Sequence, residues 1–263
     1  MNIAVISNHE TQVGLSSLVS MLATVYAKTQ NSKVAIFTTG KVEDYFRLTG
    51  IVQREGGLRS ANNTIAMLNG TIVKDEDLWD YGYRLGKEEA YVFDINSSVA
   101  TAESKKHTFS KALSRINADM CIYEIKGRSS DPVNDYLISQ ADVILDVFAT
   151  SPNSIYKAKN FKAKHKEYAK KLFFVCQKFD RDATSAKQLG SLLEVTPDKL
   201  YCIPYNVTVI KESMNGTLEN IAARIMQGSA DVVNIRTELV RLLKALYNDS
   251  KHKVIKEVSE WNK

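Results

Sequence analysis

The chain is poor in cysteine and proline, and it has no long apolar run. Its three cysteines lie in short apolar segments without metal-ligand spacing, which predicts buried thiols in a reducing cytoplasm. The four histidines are scattered and form no metal motif. A bilayer span needs about 20 apolar residues, and the N-terminus lacks a basic secretory segment. We therefore expect neither a membrane span nor a signal peptide.

Strong charge of one sign is also missing, because the net charge is +5 with 25% charged residues. Much of the basic excess lies at residues 157–171 and 251–263. A mild excess permits contact with nucleic acid or anionic lipid without requiring it. The first basic segment has few aromatic residues and no base-reading motif, so a solvated helix face is favoured there over DNA binding.

Short apolar runs alternate with amphipathic segments along most of the chain. The runs predict strands at residues 2–6, 33–37, 91–95, 120–125, 142–148, 172–176 and 200–203. The other segments predict helices at residues 16–28, 104–116, 134–140, 154–168, 183–193 and 210–214. Such alternation is typical of βαβ units. We predict one α/β domain over residues 1–263, a doubly wound, mainly parallel twisted sheet of about seven or eight strands flanked by helices.

Two regions need separate interpretation. Residues 40–86 contain several glycine and asparagine pairs and predict loops and helical excursions, followed by short strands at 83–85 and 91–95. Residues 230–263 predict a C-terminal helical segment, broken near 248–250, because apolar residues recur at i, i+3, i+4 and i+7. Its basic residues would allow membrane binding, whereas its acidic residues and narrow apolar stripe favour packing on the domain.

The first predicted strand leads into a loop with the frame of a phosphate-binding loop. Residues 8–17 read NHETQVGLSS, and Gly14, Ser16 and Ser17 are in register with G-x-x-x-x-G-K-[ST]. The backbone amides of residues 12–17 can face a phosphate, and Ser16 can be a ligand of Mg²⁺. The lysine position is Leu15, which cannot neutralise phosphate charge. Taken alone, the loop also fits a plain strand–turn–helix.

Further segments, in the same order, resemble the MinD/ParA family of deviant-Walker P-loop ATPases. The loop resembles the family's KGGVGKTT region, and ADMCIYEIKG (118–127) resembles the strand that ends in switch II. QADVILDVFATSPNSI (140–155) and FFVCQKFD (173–180) resemble two later segments, the second ending near the base. IPYNVTVIKESMNGTL (203–218) is the most specific match. The resemblance covers nearly the whole chain, with 40–99 matching only in outline, and implies ATP or ADP with Mg²⁺ and a homodimer.

The resemblance also carries the family's site onto particular residues of this chain. Its nucleotide-binding positions fall on Thr11, Gln12, Val13, Gly14, Leu15, Ser16, Ser17, Gln177, Pro204 and Tyr205. Glu124 and Gly127 stand at switch II positions, and Ser16 stands at the metal-ligand position. Glu124 could instead form an ion pair with Lys126 or Arg128, and we favour this pairing over a role at switch II. Tyr205 and Asn206 could instead form a turn, and Gln177 an ordinary polar strand end.

The chain departs from the family pattern at its charged positions. The lysine that reaches across the family's dimer aligns with Glu10, and the second lysine aligns with Leu15. The acidic residues after the second strand align with Thr38 and Gly40. Phosphoryl transfer depends on positioning and on cations that stabilise the transferring group. We therefore expect no catalytic residue at Glu10, Leu15 or Thr38, little or no ATP hydrolysis, and weak or absent nucleotide binding.

These departures favour a degenerate, dimerising scaffold that recruits or positions a larger assembly. We expect it in the cytoplasm, with peripheral attachment at the inner face of the membrane as an option. VGLSS resembles the pilus- and secretion-associated TadZ/CpaE branch, which implies a pilus, secretion or conjugation machine. Two alternatives stay open. One is an active partitioning ATPase in which Lys41, Lys126 or Arg128 replaces the lost lysines; the other is a DNA- or membrane-binding module.

Overall fold

One eight-stranded sheet organises the part of the chain that the computed structural model describes, residues 1–7, 14–50, 79–95, 102–127 and 132–249. The strands are β1 (Asn2–Ser7), β2 (Val34–Thr38), β3 (Tyr83–Arg84), β4 (Ala90–Asp94), β5 (Met120–Lys126), β6 (Val143–Phe148), β7 (Leu172–Phe179) and β8 (Leu200–Pro204). Their order is β3-β4-β2-β5-β1-β6-β7-β8. All neighbours are parallel except β3 and β4. The predicted α/β class and its mainly parallel sheet are confirmed.

Nine α-helices flank the sheet within these ranges. They are α1 (Leu15–Gln30), α2 (Glu43–Thr49), α3 (Ala102–Arg115), α4 (Pro132–Gln140), α5 (Pro152–Lys164), α6 (Ala186–Leu193), α7 (Val207–Asn215), α8 (Glu219–Met226) and α9 (Val233–Asp249). None of the helices in the described ranges is long and apolar enough to cross a bilayer. The predicted C-terminal segment is helical to residue 249, and residues 250–263 lie outside the described chain.

The strands read as apolar runs because helices cover both faces of the parallel sheet. One core contains side chains of α1, α8 and α9, and the other contains side chains of α3 to α6. Helix α1 is buried along nearly its whole length, with only Ser17, Lys28 and Gln30 outside its buried set. The three cysteines are buried free thiols, as predicted.

The sheet places the candidate site at the carboxyl ends of its central strands, where open α/β sheets bind ligands. Strand β5 lies between β1 and β2, and Glu124 is in register with Val5 on one side and Thr38 on the other. The connection from β1 to α1 starts at the same edge. Side chains from three separate stretches of sequence therefore meet beside Glu124.

Helix α8 and strand β7 are among the elements that differ from the sequence expectations. Helix α8 was not predicted. It starts at Glu219, shortly after α7 ends at Asn215 and the chain turns at the left-handed Gly216. Strand β7 runs three residues beyond the predicted end because a register irregularity lies between Cys176 and Phe179. Within that irregularity Lys178 has a φ of 54°.

Candidate functional site

Helix α1 begins directly after the last glycine of the predicted phosphate-binding loop. Gly14 precedes the helix in the left-handed conformation, with φ 79° and ψ 28°, which glycine adopts at little cost. Its carbonyl accepts the first helical hydrogen bond from the Leu18 N–H, at 2.9 Å. The loop positions 8–13, which include Glu10, Thr11, Gln12 and Val13, lie outside the described residues.

Leu15 belongs to the hydrophobic core. Its side chain is 5% exposed and packs in the apolar cluster on the α1 face of the sheet. The residue at the lysine position thus contributes to folding and places no charge at the site.

Glu124 is the centre of a buried polar cluster. Its side chain is fully buried at the end of β5. The Ser16 hydroxyl donates to Glu124 Oε1 at 2.7 Å, and the Thr38 hydroxyl donates a short hydrogen bond to Oε2. A buried carboxylate requires such donors, because its desolvation is costly without them. We call Ser16, Thr38, Asp44, Glu124 and Lys126 the Glu124 cluster.

Lys126 supplies the positive charge of the Glu124 cluster. Its Nζ lies 2.6 Å from Asp44 Oδ2 and 3.5 Å from Glu124 Oε1, the oxygen that also accepts from Ser16. Its aliphatic chain lies against Gly40, where an added Cβ would stand 2.5 Å from Lys126 Cδ. The predicted pairing of Glu124 with Lys126 is confirmed, whereas Arg128 lies outside the described residues.

Tyr45 of α2 borders the same cluster and is fully buried. Burial raises the pKa of its phenol well above the ordinary value of 10.0, and the nearby Glu124 carboxylate raises this pKa further. Tyr45 therefore stays neutral at physiological pH. Its buried ring encloses this end of the site.

A cavity of about 340 Å³ lies beside the start of α1. Five of the predicted nucleotide-binding residues line it: Gly14, Ser17, Gln177, Pro204 and Tyr205. The remaining wall is formed by Met21, Lys178, Ile203, Asn206, Val209, Ile210, Ser213, Met214 and Ile235. A mostly apolar wall with a few polar groups is typical of small-molecule pockets. Leu15 and Ser16 are absent from the lining.

The wall helix α7 is fixed at both ends by side-chain hydrogen bonds. Asn206 caps its start by accepting from the Val209 N–H at 3.1 Å, and donates to the Asp231 carbonyl at 2.7 Å. Near its end, Glu212 accepts from the Thr217 hydroxyl at 2.6 Å and pairs with Arg224 at 3.2 Å. The wall is therefore preorganised by the chain's own contacts.

Gln177 and Lys178 reach the loop glycine because of the irregularity in β7. Gln177 is buried, and its Cδ lies 3.8 Å from a Cβ built on Gly14; the corresponding distance for Lys178 Cε is 4.0 Å. Lys178 is the only charged residue in the described cavity lining. Gln177 lies near the end of β7 and also lines the cavity. The sequence did not indicate Lys178, because a regular strand would not turn both residues towards the loop.

The geometry separates two ends of the site. The cavity end has the size and lining for a planar ring, while the Glu124 end does not suit a divalent cation. There the Ser16 hydroxyl donates to a carboxylate that already has an ammonium group nearby. Among the described residues, no cluster of three or more histidine, cysteine or acidic side chains could hold a metal.

The eight-stranded, mainly parallel sheet with helices on both faces defines an α/β architecture. More particularly, the chain has the fold of the ParA and MinD ATPases. It matches a ParA family ATPase from Chlorobium tepidum at a TM-score of 0.70 and 13% identity, covering 94% of this chain and 98% of the other. MinD from Aquifex aeolicus, in complex with MinC, matches at 0.67 and 12%, covering 97% and 98%.

A third similar structure contains nucleotide. MinD from Pyrococcus horikoshii, complexed with Mg-ADP, matches at a TM-score of 0.62 and 10% identity, covering 97% of this chain and all of the other. No protein-family model and no curated protein sequence matches the chain. Structural likeness at such low identity shows the shared fold, and function must be argued from the residues of the site.

Proposed function

We propose that this protein is a positioning scaffold with the ParA/MinD fold that hydrolyses little or no ATP. The observation that carries the proposal is the Glu124 cluster. At the Glu124 end of the site, the Ser16 hydroxyl and the Lys126 ammonium group both contact the Glu124 carboxylate. Leu15, at the lysine position, lies in the core. Phosphoryl transfer needs cations placed on the transferring group. The described residues at this end supply only Lys126, which is already paired with Asp44.

The lining of the cavity favours nucleotide binding without hydrolysis. Gly14, Gln177 and Tyr205 form the part of the wall where a base and its sugar would lie. Apolar burial and stacking can hold such a group without help from phosphate charge. We therefore propose weak adenine nucleotide binding that depends little on the triphosphate or on Mg²⁺.

The proposed scaffold acts as a homodimer held by side-chain packing and recruits protein partners of a larger machine. The loop's resemblance to the TadZ/CpaE branch is the basis for naming a pilus, secretion or conjugation apparatus. Attachment at the inner face of the membrane belongs to the same proposal, but α9 has no part in it, because its apolar side chains Leu239, Leu242 and Leu246 pack in the core. DNA binding is not favoured.

Steady-state ATP hydrolysis with Mg²⁺ tests the catalytic part of this proposal. We expect wild-type turnover to equal that of a Ser16→Ala/Ser17→Ala variant, because neither hydroxyl takes part in ATP hydrolysis. Turnover that is well above background in the wild type and lost in this variant would contradict the proposal. Circular dichroism of both proteins checks that the variant is folded.

The position of Lys178 favours a second candidate, an ATP-binding positioning ATPase with a substitute lysine. Its side chain is near Gly14, on the cavity wall. Of the replacements expected from sequence, Lys126 is paired within the Glu124 cluster and Lys41 is exposed. This candidate predicts turnover that Lys178→Met abolishes and Lys41→Met leaves unchanged.

A further inference from the structure

The Glu124 cluster contains its own compensating cation. Two carboxylates, from α2 and β5, approach one ammonium group, with Lys126 Nζ at 2.6 Å from Asp44 Oδ2 and 3.5 Å from Glu124 Oε1. Glu124 is fully buried, whereas Asp44 and Lys126 are partly exposed. The cluster thus extends from the core of the sheet to the surface at the carboxyl end of β5.

The oxygen atoms around this ammonium group are those that a hard divalent cation prefers. Magnesium and manganese bind carboxylate and hydroxyl oxygens, often with several waters in between. Glu124 Oε1 already accepts from the Ser16 hydroxyl and lies next to Lys126 Nζ. A metal ion entering this cluster would be repelled by the ammonium group and would have to displace it from Asp44.

The chain holds Lys126 in place through its neighbours. Its backbone N–H donates to the Thr39 hydroxyl at 3.0 Å, and the Thr39 N–H donates to the Glu124 carbonyl at 3.0 Å. The side chain passes directly over Gly40, where any Cβ would collide with it. These contacts join the turn after β2 to the end of β5, so the ammonium group is positioned by the fold.

We propose that the Lys126 ammonium group is a built-in cation that replaces a divalent metal ion in the Glu124 cluster. The charges of the cluster would then be compensated without a metal ion. Its contacts would hold α2, β2 and β5 together whether or not metal is present. This inference deepens the proposed function, because a scaffold whose site carries its own cation has no metal-dependent step. Its test uses no nucleotide, so the inference and the proposed function can fail separately.

Thermal unfolding with Mn²⁺ or with EDTA, on the full chain, tests the replacement. We expect wild-type Tm to be the same in both conditions. Lys126→Ala leaves two carboxylates without their ammonium group, so its Tm should fall in EDTA. Mn²⁺ should then restore it, by about 5 °C or more at a concentration about a hundred times the dissociation constant. Electron paramagnetic resonance should show bound Mn²⁺ in this variant and none in the wild type.

Two further variants separate metal replacement from a general effect of charge. Lys41→Ala removes an exposed lysine beside the same turn and should behave like the wild type. Lys126→Ala/Glu124→Gln removes the charges of Lys126 and Glu124, leaves Asp44 as the one charged residue of the cluster, and should lose the Mn²⁺ response. Stoichiometric Mn²⁺ binding by the wild type would overturn the inference, as would a folded Lys126→Ala that ignores Mn²⁺. If Lys126→Ala does not fold, the wild-type resonance measurement still decides.

Discussion

The Ser16 hydroxyl donates a 2.7 Å hydrogen bond to Glu124 Oε1, joining the first turn of α1 to the end of β5. Both residues are buried, and Thr38 satisfies the other carboxylate oxygen. In this chain the serine hydroxyl that follows the predicted phosphate-binding loop thus acts as an internal donor. The same atoms that suggest a metal site in the sequence are structural contacts in the fold.

Removing this hydroxyl should destabilise the protein. Ser16→Ala leaves a buried carboxylate one donor short, and we expect the free energy of unfolding to fall by about 1–3 kcal/mol in urea titrations. Ser20→Ala is the matched control, since Ser20 Oγ is buried on the same helix without a hydrogen-bond partner in the described residues. Its substitution removes no hydrogen bond and should not lower the free energy of unfolding. Equal losses in both variants would contradict the role given to the Ser16–Glu124 bond.

A pair of glycines joins the cavity wall to the Glu124 cluster. Gly50 ends α2 and Gly216 ends α7, both with positive φ, and a Cβ on Gly50 would lie 2.6 Å from the Gly216 carbonyl oxygen. Gly50→Ala should therefore cost about 2–4 kcal/mol, from the strained backbone and from overpacking. Gly127→Ala has a positive φ with open space around it and should cost about 1–2 kcal/mol. A smaller loss for Gly50→Ala than for Gly127→Ala in chemical denaturation would show that α2 and α7 are not closely packed.

The affinity of the cavity for a nucleotide should come from the base more than from the phosphates. We expect adenosine and ATP to bind with similar, weak affinity in isothermal titration calorimetry, because Leu15 supplies no charge. Tyr205→Ala should weaken both by about tenfold through the loss of contact with the ring. Tyr156→Ala is the control, because Tyr156 is also an exposed tyrosine, on α5, and does not line the cavity. ATP binding far tighter than adenosine binding would contradict this account.

Stability should depend on Glu212 at acidic pH. The Thr217 hydrogen bond is the main cause that lowers the Glu212 pKa below its ordinary value of 4.5, with further contributions from Asn220 and Arg224. A lowered folded-state pKa stabilises the fold above pH 4.5, and that contribution is lost as pH falls towards the folded value. Glu212→Gln should reduce this slope in unfolding free energies measured between pH 6 and pH 3. An unchanged slope would show that Glu212 does not anchor α7.

The sequence was sufficient for the sheet because a buried parallel strand needs a continuous apolar run, and such runs are visible without any structure. The resemblance of the motifs also pointed to five residues that line the cavity. The sequence could not give the position of Lys178, because the irregularity after Cys176 has no local sequence signal. Nor could it show that Leu15 faces the core, since a leucine at a helix start fits either a core or a loop.

The role of Lys126 could not be decided from the sequence, for a different reason. The sequence offered it both as a partner of Glu124 and as a substitute for the missing lysines. Only the packing of its side chain over Gly40 and its 2.6 Å approach to Asp44 distinguish the two. Such long-range contacts between strand ends depend on the register of β2 and β5, which no pattern within either segment determines.

The proposed function requires that this chain positions an assembly without a nucleotide-driven switch. Multi-angle light scattering of the full chain, with Mg²⁺ and with or without millimolar ATP, tests it most directly. The account predicts a stable dimer whose mass is the same in both samples. A monomer that becomes a dimer only with ATP would contradict it and would show that the site still works as a switch.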